Sequence, residues 1–264
     1  MNSPIVIAAA TAAVLAGLGS AGTAKAQSVV ALMDGNQIAV IDAKTWKATA
    51  PLKVSGVAGT LVGIDVRPAD GKLYGLFEDG TVAILDPVSG NATAKAKLET
   101  MLPAGAMATV DFNPVADRLR VIGSDGTNLR VNVDDGKVTK DGTLKFADAD
   151  KNAGKAPMIV AGAYTNSVKG SKETALYDID GKLGVLVKQA PPNDGLLNTV
   201  GATGAEGKGY AFDIVTMDEG ANEGWLMVGP MLYRVDLASG KATGVGKVAG
   251  VSREVKDIAV VPAK

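Results

Sequence analysis

Short runs of alternating apolar and polar residues, such as Gln37-Ile-Ala-Val-Ile41, recur along the chain between Asp-Gly and Ser-Gly pairs. Period-two alternation is the pattern of half-buried strands, and those pairs supply the positive-φ positions of tight hairpins. Past the N-terminal region, no stretch of a dozen residues has helical periodicity with caps. The runs also repeat as a group. Gly63-Ile-Asp-Val-Arg67, a turn and Lys72-Leu-Tyr-Gly-Leu76 lead through Glu78-Asp79-Gly80 to Thr81-Val-Ala-Ile-Leu85, then Ser89-Gly90. A second copy opens at Val110-Asp-Phe-Asn113, a third near Ala163-Tyr-Thr-Asn166 and a fourth at Tyr210-Ala-Phe-Asp213.

With Asp65, Asp111, Ala163 and Asp213 as matching positions, the period is roughly 45 to 50 residues, the length of one four-stranded propeller blade. Residues 29–50 resemble the later half of a repeat, and Asp257-Ile-Ala-Val-Val261 resembles an opening strand. Pairing the two ends closes a ring and removes the exposed sheet edges. The expected fold is therefore an all-β propeller of five four-stranded blades over residues 27–264, or six if residues 141–163 hold extra strands. A β-sandwich would not explain the period, and a β-solenoid would have shorter repeats.

The N-terminal region reads differently. Ile5 to Leu18 is apolar and uncharged, and Ala24-Lys25-Ala26 before Gln27 is a small-x-small cleavage pattern. Residues 1–26 thus read as a secretory signal peptide, although no Lys or Arg precedes Ile5. The apolar run is shorter than the ~20 residues of a membrane span. The expectation is a mature chain without a membrane span, in the periplasm or outside the cell.

Composition narrows the chemistry. The 264 residues include 27 Lys plus Arg and 28 Asp plus Glu, a net charge of −1. That balance gives no long-range attraction to nucleic acid. There is no Cys and no His, which removes disulfides, Ser-His-Asp triads, Cys-His dyads and Cys/His zinc sites. Elbow, P-loop and Rossmann fingerprints are missing from the sequence.

Four sets of residues could carry chemistry. Asp65, Asp111, Asp213 and Asp257 recur in the strand that opens each repeat, which in a propeller lines the central channel. Converging carboxylates can hold Ca²⁺, or can accept backbone amides and stitch blades together. Ala163 interrupts the set, with Asn166 nearby. Asp148, Asp150 and Asn152, before Gly154, resemble the first half of a Ca²⁺ loop, but the glycine comes one place late and no Glu follows at the required distance. Asn113, Arg118 and Arg120 form a polar group in which the two arginines share a strand face and can bind a carboxylate or sugar acid, or pair with Asp111 or Asp117. The stiff loop Gln189-Ala-Pro-Pro-Asn193-Asp194-Gly195 could present Asn193 and Asp194 to a ligand.

Gly63-Ile-Asp-Val-Arg-Pro-Ala69, Asp111-Phe-Asn-Pro-Val-Ala-Asp-Arg-Leu-Arg-Val-Ile122, Asn152-Ala-Gly154, Ala163-Tyr-Thr-Asn166 and Pro191-Pro-Asn-Asp-Gly195 resemble the bacterial family called domain of unknown function 4394. The resemblance implies a propeller-like fold and a place outside the cytoplasm, and it brings no catalytic residues. Two functions follow as expectations. One is a non-catalytic binding or scaffold module for a protein, peptide or glycan. The other is a Ca²⁺-dependent hydrolase or lactonase, in which the metal polarises a carbonyl and an axial Asp acts as base.

Overall fold

The computed structural model describes residues 28–217, 220–252 and 254–261; the expected leader, residues 1–26, lies outside them. The first sheet contains β1 (Ser28–Met33), β2 (Gln37–Asp42), β3 (Lys47–Ala48) and β4 (Leu52–Lys53). The second is β5 (Leu61–Arg67), β6 (Lys72–Phe77), β7 (Thr81–Leu85) and β8 (Ala92–Lys97). The third is β9 (Ala108–Asn113), β10 (Arg118–Gly123), β11 (Asn128–Val131) and β12 (Val138–Lys140). The fourth holds β13 (Lys145–Phe146), β14 (Ile159–Tyr164), β15 (Leu176–Asp180), β16 (Val185–Gln189) and β17 (Leu196–Ala202). The fifth is β18 (Tyr210–Thr216), β19 (Asn222–Val228), β20 (Met231–Val235) and β21 (Ala242–Lys247). The last strand, β22 (Val255–Val261), returns to pair with β1 and becomes the inner strand of the first sheet.

The result is a five-bladed propeller whose first blade is built from both chain ends. Residues 141–163, the region that could have held a sixth blade, instead supply β13, which adds to the fourth blade by parallel pairing with β17. Among the described residues no helix is long and apolar enough to cross a membrane.

Five apolar clusters fill the five seams between blades. One joins Tyr74 and Leu76 of the second blade to Phe112, Leu119 and Val121 of the third. Another joins Ile122 to Tyr164, Leu176 and Val187 across the third and fourth blades. Each sheet is covered on both faces, so inner strands are buried almost throughout, as in β5, while the outermost β8 is mostly exposed. Burial on two faces is what a radial stack of sheets requires, and it explains why aliphatic runs replace strict alternation here.

The outer hairpins of four blades share one turn. In Asp42–Trp46, Asp86–Gly90, Asn132–Gly136 and Asp236–Gly240, the fifth residue's amide donates to the first residue's carbonyl. The first side chain caps the amide two residues on, as Asp86 Oδ1 does for Val88. The fifth residue takes positive φ, 76° at Gly90 and 78° at Gly240, and a Cβ there would lie 2.8 Å from a backbone oxygen of the preceding blade, that of Lys53 or Gly201. Trp46 occupies that position in the first blade with φ 53°, where its ring stacks edge-on against Trp225 of the fifth blade at 5.4 Å.

Candidate functional site: the axial carboxylates and the two channel mouths

Each axial aspartate sits mid-strand in an inner strand and reaches towards the next blade. Asp65 Oδ2 accepts the Phe112 amide at 2.7 Å, and Asp111 Oδ1 accepts that of Tyr164 at 3.0 Å. Asp213 Oδ2 accepts the Val260 amide at 2.6 Å, and Asp257 Oδ2 accepts that of Ile64 at 2.9 Å. The other oxygen of Asp65, Asp213 and Asp257 accepts the amide of the residue that follows it. The ring thus stitches the seams from the second blade to the third, third to fourth, fifth to first and first to second. The seam from the fourth blade to the fifth has Ala163 instead. There Asn166 and Asn222 are joined by two hydrogen bonds of 2.7 Å, the Asn166 amide to Asn222 Oδ1 and Asn222 Nδ2 to Asn166 Oδ1.

Oxygens of Asp65, Asp111 and Asp213 lie within 4.8 Å of one another, all buried. Burial is the largest influence on each and disfavours the charged form. It raises Asp65, with the charges of Asp213 and Asp257 adding to the effect, and it raises Asp111, with Asp65 and Asp213 adding. Burial also lifts Asp257, and it brings Asp213 to about 6 against the pull of the Val260 and Ile214 amides. Burial and mutual repulsion therefore favour the protonated forms in this ring more than in isolated aspartates.

The carboxylates divide the axis into two mouths. The ends of the inner strands surround a narrow mouth of about 260 Å³, lined by Asp65, Val66, Asp213, Val215 and Val260, with Val168 and Lys169 of the loop that follows β14 beside it. The starts of the same strands surround a wider mouth of about 550 Å³. Val62, Ala108, Val160, Tyr210 and Val255 line it, with Met107, Met158, Lys208, Glu254 and Lys256 around them.

The other sequence candidates lie off the axis. In the Asp148 loop, Asp150 accepts the Thr199 amide and hydroxyl and the Asn152 amide. Asn152 binds Thr199 and Lys155, and Asp148 is exposed. Asn113 caps its own turn through the Val115 and Ala116 amides. Arg118 donates to the Asp117 carbonyl.

Arg120 is 2% exposed and pairs with neither Asp111 nor Asp117. It pairs with Asp141 at 2.6 Å, and also donates to Asn128, Asn193 and the Tyr164 hydroxyl. The distances decide this: Asp111, directly across from Arg120 in the β9–β10 register, is turned towards the Tyr164 amide. Asp117 is taken by Arg67, which binds Asp117 and Asp134 together at 2.6 and 2.8 Å. Asn193 therefore docks its loop on the third blade through Arg120, while Asp194 is exposed.

Sequence reasoning did not find Arg67 or Asp178. Arg67 ends the strand that carries Asp65, but its partners are 50 and 67 residues away. Asp178 is wholly buried, and neither of its oxygens has a hydrogen-bond partner.

No curated protein matches the sequence significantly. Similar solved structures include a protein of unknown function from Bacteroides thetaiotaomicron, at 15% identity over 90% of this chain and 74% of that one, with a TM-score of 0.52. Another is a protein of unknown function from Bacteroides caccae, at 12% identity over 89% and 99% of the two chains, TM-score 0.46. A third is an auxiliary nutrient binding protein from Bacteroides thetaiotaomicron, at 15% identity over 83% and 58%, TM-score 0.45. At these identities the likeness of the first concerns fold alone. The sequence profile of a domain of unknown function, DUF4394, matches residues 25–259, nearly the whole propeller, and the chain is a member of the DUF4394 family.

Proposed function

We propose that this protein is a binding module that works outside the cytoplasm and seats a small, largely apolar ligand in its wide mouth. The observation that carries the proposal is the lining of that mouth. Val62, Ala108 and Val160 are only partly buried, and Met107 is 53% exposed, so apolar side chains stand at the solvent-reached ends of several inner strands. A concave, mostly apolar cavity of about 550 Å³ lies within the usual range for small-molecule sites, roughly 300 to 1,000 Å³. Lys208, Glu254 and Lys256 at the same mouth supply polar groups that orient a ligand.

The test uses 1-anilinonaphthalene-8-sulfonate, whose apolar rings and single anionic group suit such a lining. One probe should bind per chain with a rise in fluorescence, and Val160→Glu with Val62→Glu should weaken it at least tenfold while the melting curve stays within a few degrees. Binding that ignores both substitutions, or no binding, would overturn the proposal.

A second reading is a Ca²⁺-dependent hydrolase or lactonase that works from the narrow mouth. The mutual approach of Asp65, Asp111 and Asp213 favours it, since hard cations take oxygen ligands. The amides already bound to these carboxylates weigh against it. A ligand that binds only the folded state adds about 2.7 kcal/mol at one hundredfold over Kd. Added Ca²⁺ should then raise the melting temperature over that in EDTA, and Asp65→Asn with Asp111→Asn should abolish the difference. Equal melting temperatures would exclude this reading.

A further inference from the structure

Asp178 lies in the seam between the third and fourth blades, on the β15 face shared with Leu176. Its register partners are Gly162 on β14 and Val187 on β16. A Cβ at Gly162 would collide with Asp178 Oδ1, so the carboxyl is pressed flat against the neighbouring strand. Around it lie Ile159, Tyr164, Leu176, Val185 and Val187.

Asp178 Oδ1 and Oδ2 have no partner, and neither does Gln189 Oε1, on a side chain only 1% exposed. Gln189 pairs with Leu176 in the β15–β16 register. It is therefore the diagonal neighbour of Asp178 on one sheet face, within side-chain reach. Its Nε2 already donates to the Pro192 carbonyl, which leaves Oε1 as an acceptor facing the seam. Three buried acceptors without a donor are costly, about 1–3 kcal/mol each. A proton on Asp178 supplies the missing donor and occupies no further volume.

We propose that Asp178 is a neutral carboxylic acid that donates its proton to Gln189 Oε1, and that losing this proton weakens the seam between the third and fourth blades. The charged groups facing Asp178 agree. Arg120 is the cation whose field favours the ionised form, but its guanidinium is engaged by Asp141, Asn128, Asn193 and Tyr164. Asp141 is shared further with Arg130. Tyr164, its own hydroxyl raised by burial, donates no bond to Asp178, and Asp111 is turned to the Tyr164 amide. Asp180, two residues along, accepts amides of Met158, Lys182 and Leu183. Burial therefore prevails over Arg120 and carries Asp178 up to about 8.

The infrared spectrum tests the assignment. Near pH 6.5 the wild type should show a protonated-carboxyl band that is missing from Asp178→Asn. The folding equilibrium constant of the wild type should fall about thirtyfold more than that of Asp178→Asn between pH 6.5 and 9, the loss that linkage gives for a group near 8. If Asp178→Asn does not fold, Gln189→Met removes the acceptor and keeps the acid. Its wild-type comparison is a carbon-13 titration of the Asp178 carboxyl, whose midpoint should move down in Gln189→Met. Identical bands or equal pH profiles in wild type and Asp178→Asn would overturn the proposal, as would an unmoved midpoint in Gln189→Met.

Discussion

The axial ring and the seam between the third and fourth blades both bury aspartates, and they do so in opposite ways. On the axis, Asp65, Asp213 and Asp257 each accept one amide from their own strand and one from another blade. In the seam, Asp178 accepts none. A buried carboxylate met by amides forms part of the backbone framework, and removing it orphans the donors. A buried carboxyl met by no N–H group is a place where charge cannot be accommodated. Burial alone does not distinguish the two, whereas the direction of the surrounding N–H groups does.

The largest expected effect breaks the framework. Asp65→Ala leaves the Val66 and Phe112 amides without an acceptor and should cost about 3 kcal/mol. In a chain of this size that is a fall of roughly 10 °C in melting temperature, measured by calorimetry. A loss under about 1 kcal/mol would mean that the amides find other partners and that the stitching is dispensable. Asp178→Leu probes the other side. Replacing a carboxyl that accepts no amide, and whose one proposed bond runs to Gln189, with an apolar group of similar volume should cost no more than about 1 kcal/mol at pH 8. A loss equal to that of Asp65→Ala would erase the contrast.

The pH profile sharpens the comparison next. A carboxyl raised in the folded state stabilises fully below its unfolded value near ~4, and that contribution is lost as pH rises through the folded value. For Asp213, at about 6, the loss runs from about pH 4 to somewhat above 6. The opposite case is Asp134, which its hydrogen bond with Arg67 holds down at about 2. Its contribution is present above ~4 and disappears as pH falls towards 2. Because its side chain is 48% exposed, solvent screens that gain and keeps it small. Urea midpoints should therefore peak on the acid side of neutrality, and a peak above pH 8 would contradict the raised axial carboxyls. The smallest effect belongs to the seam without a carboxylate. Asn166→Ala removes the bond that Asn222 Nδ2 donates to Asn166 Oδ1, leaves the Asn166 amide on Asn222 Oδ1, and should cost about 1 kcal/mol, readable as a small shift in the same midpoint.

Much of this architecture was legible in the residues. The spacing of Asp65, Asp111, Ala163 and Asp213 marked the blades, and the half-repeats at the two ends marked the closure through β1 and β22. Of the alternatives left open for the axial aspartates, metal binding or stitching, the amides of neighbouring blades show the stitching. What could not be read depends on pairings distant in sequence or on the stacking of sheets. Arg67 meets Asp117 and Asp134, and Arg120 meets Asp141, through turns that no local period announces. In Tyr177-Asp-Ile-Asp180 polar residues alternate with apolar ones, so Asp178 and Asp180 share one face of β15. In a propeller that face is covered by a neighbouring blade, here the third, and both aspartates are completely buried.

The composite first blade has one further consequence. Ser28, where β1 begins, lies opposite Val261, where β22 ends, and β22 runs from Val255 at the wide mouth to Val260 at the narrow one. Anything fused to either end of the propeller leaves from the same rim, beside the narrow mouth. A tether, tag or surface attachment placed there would hold the molecule like a cup by its base, with the apolar opening turned away from the support and towards whatever diffuses past.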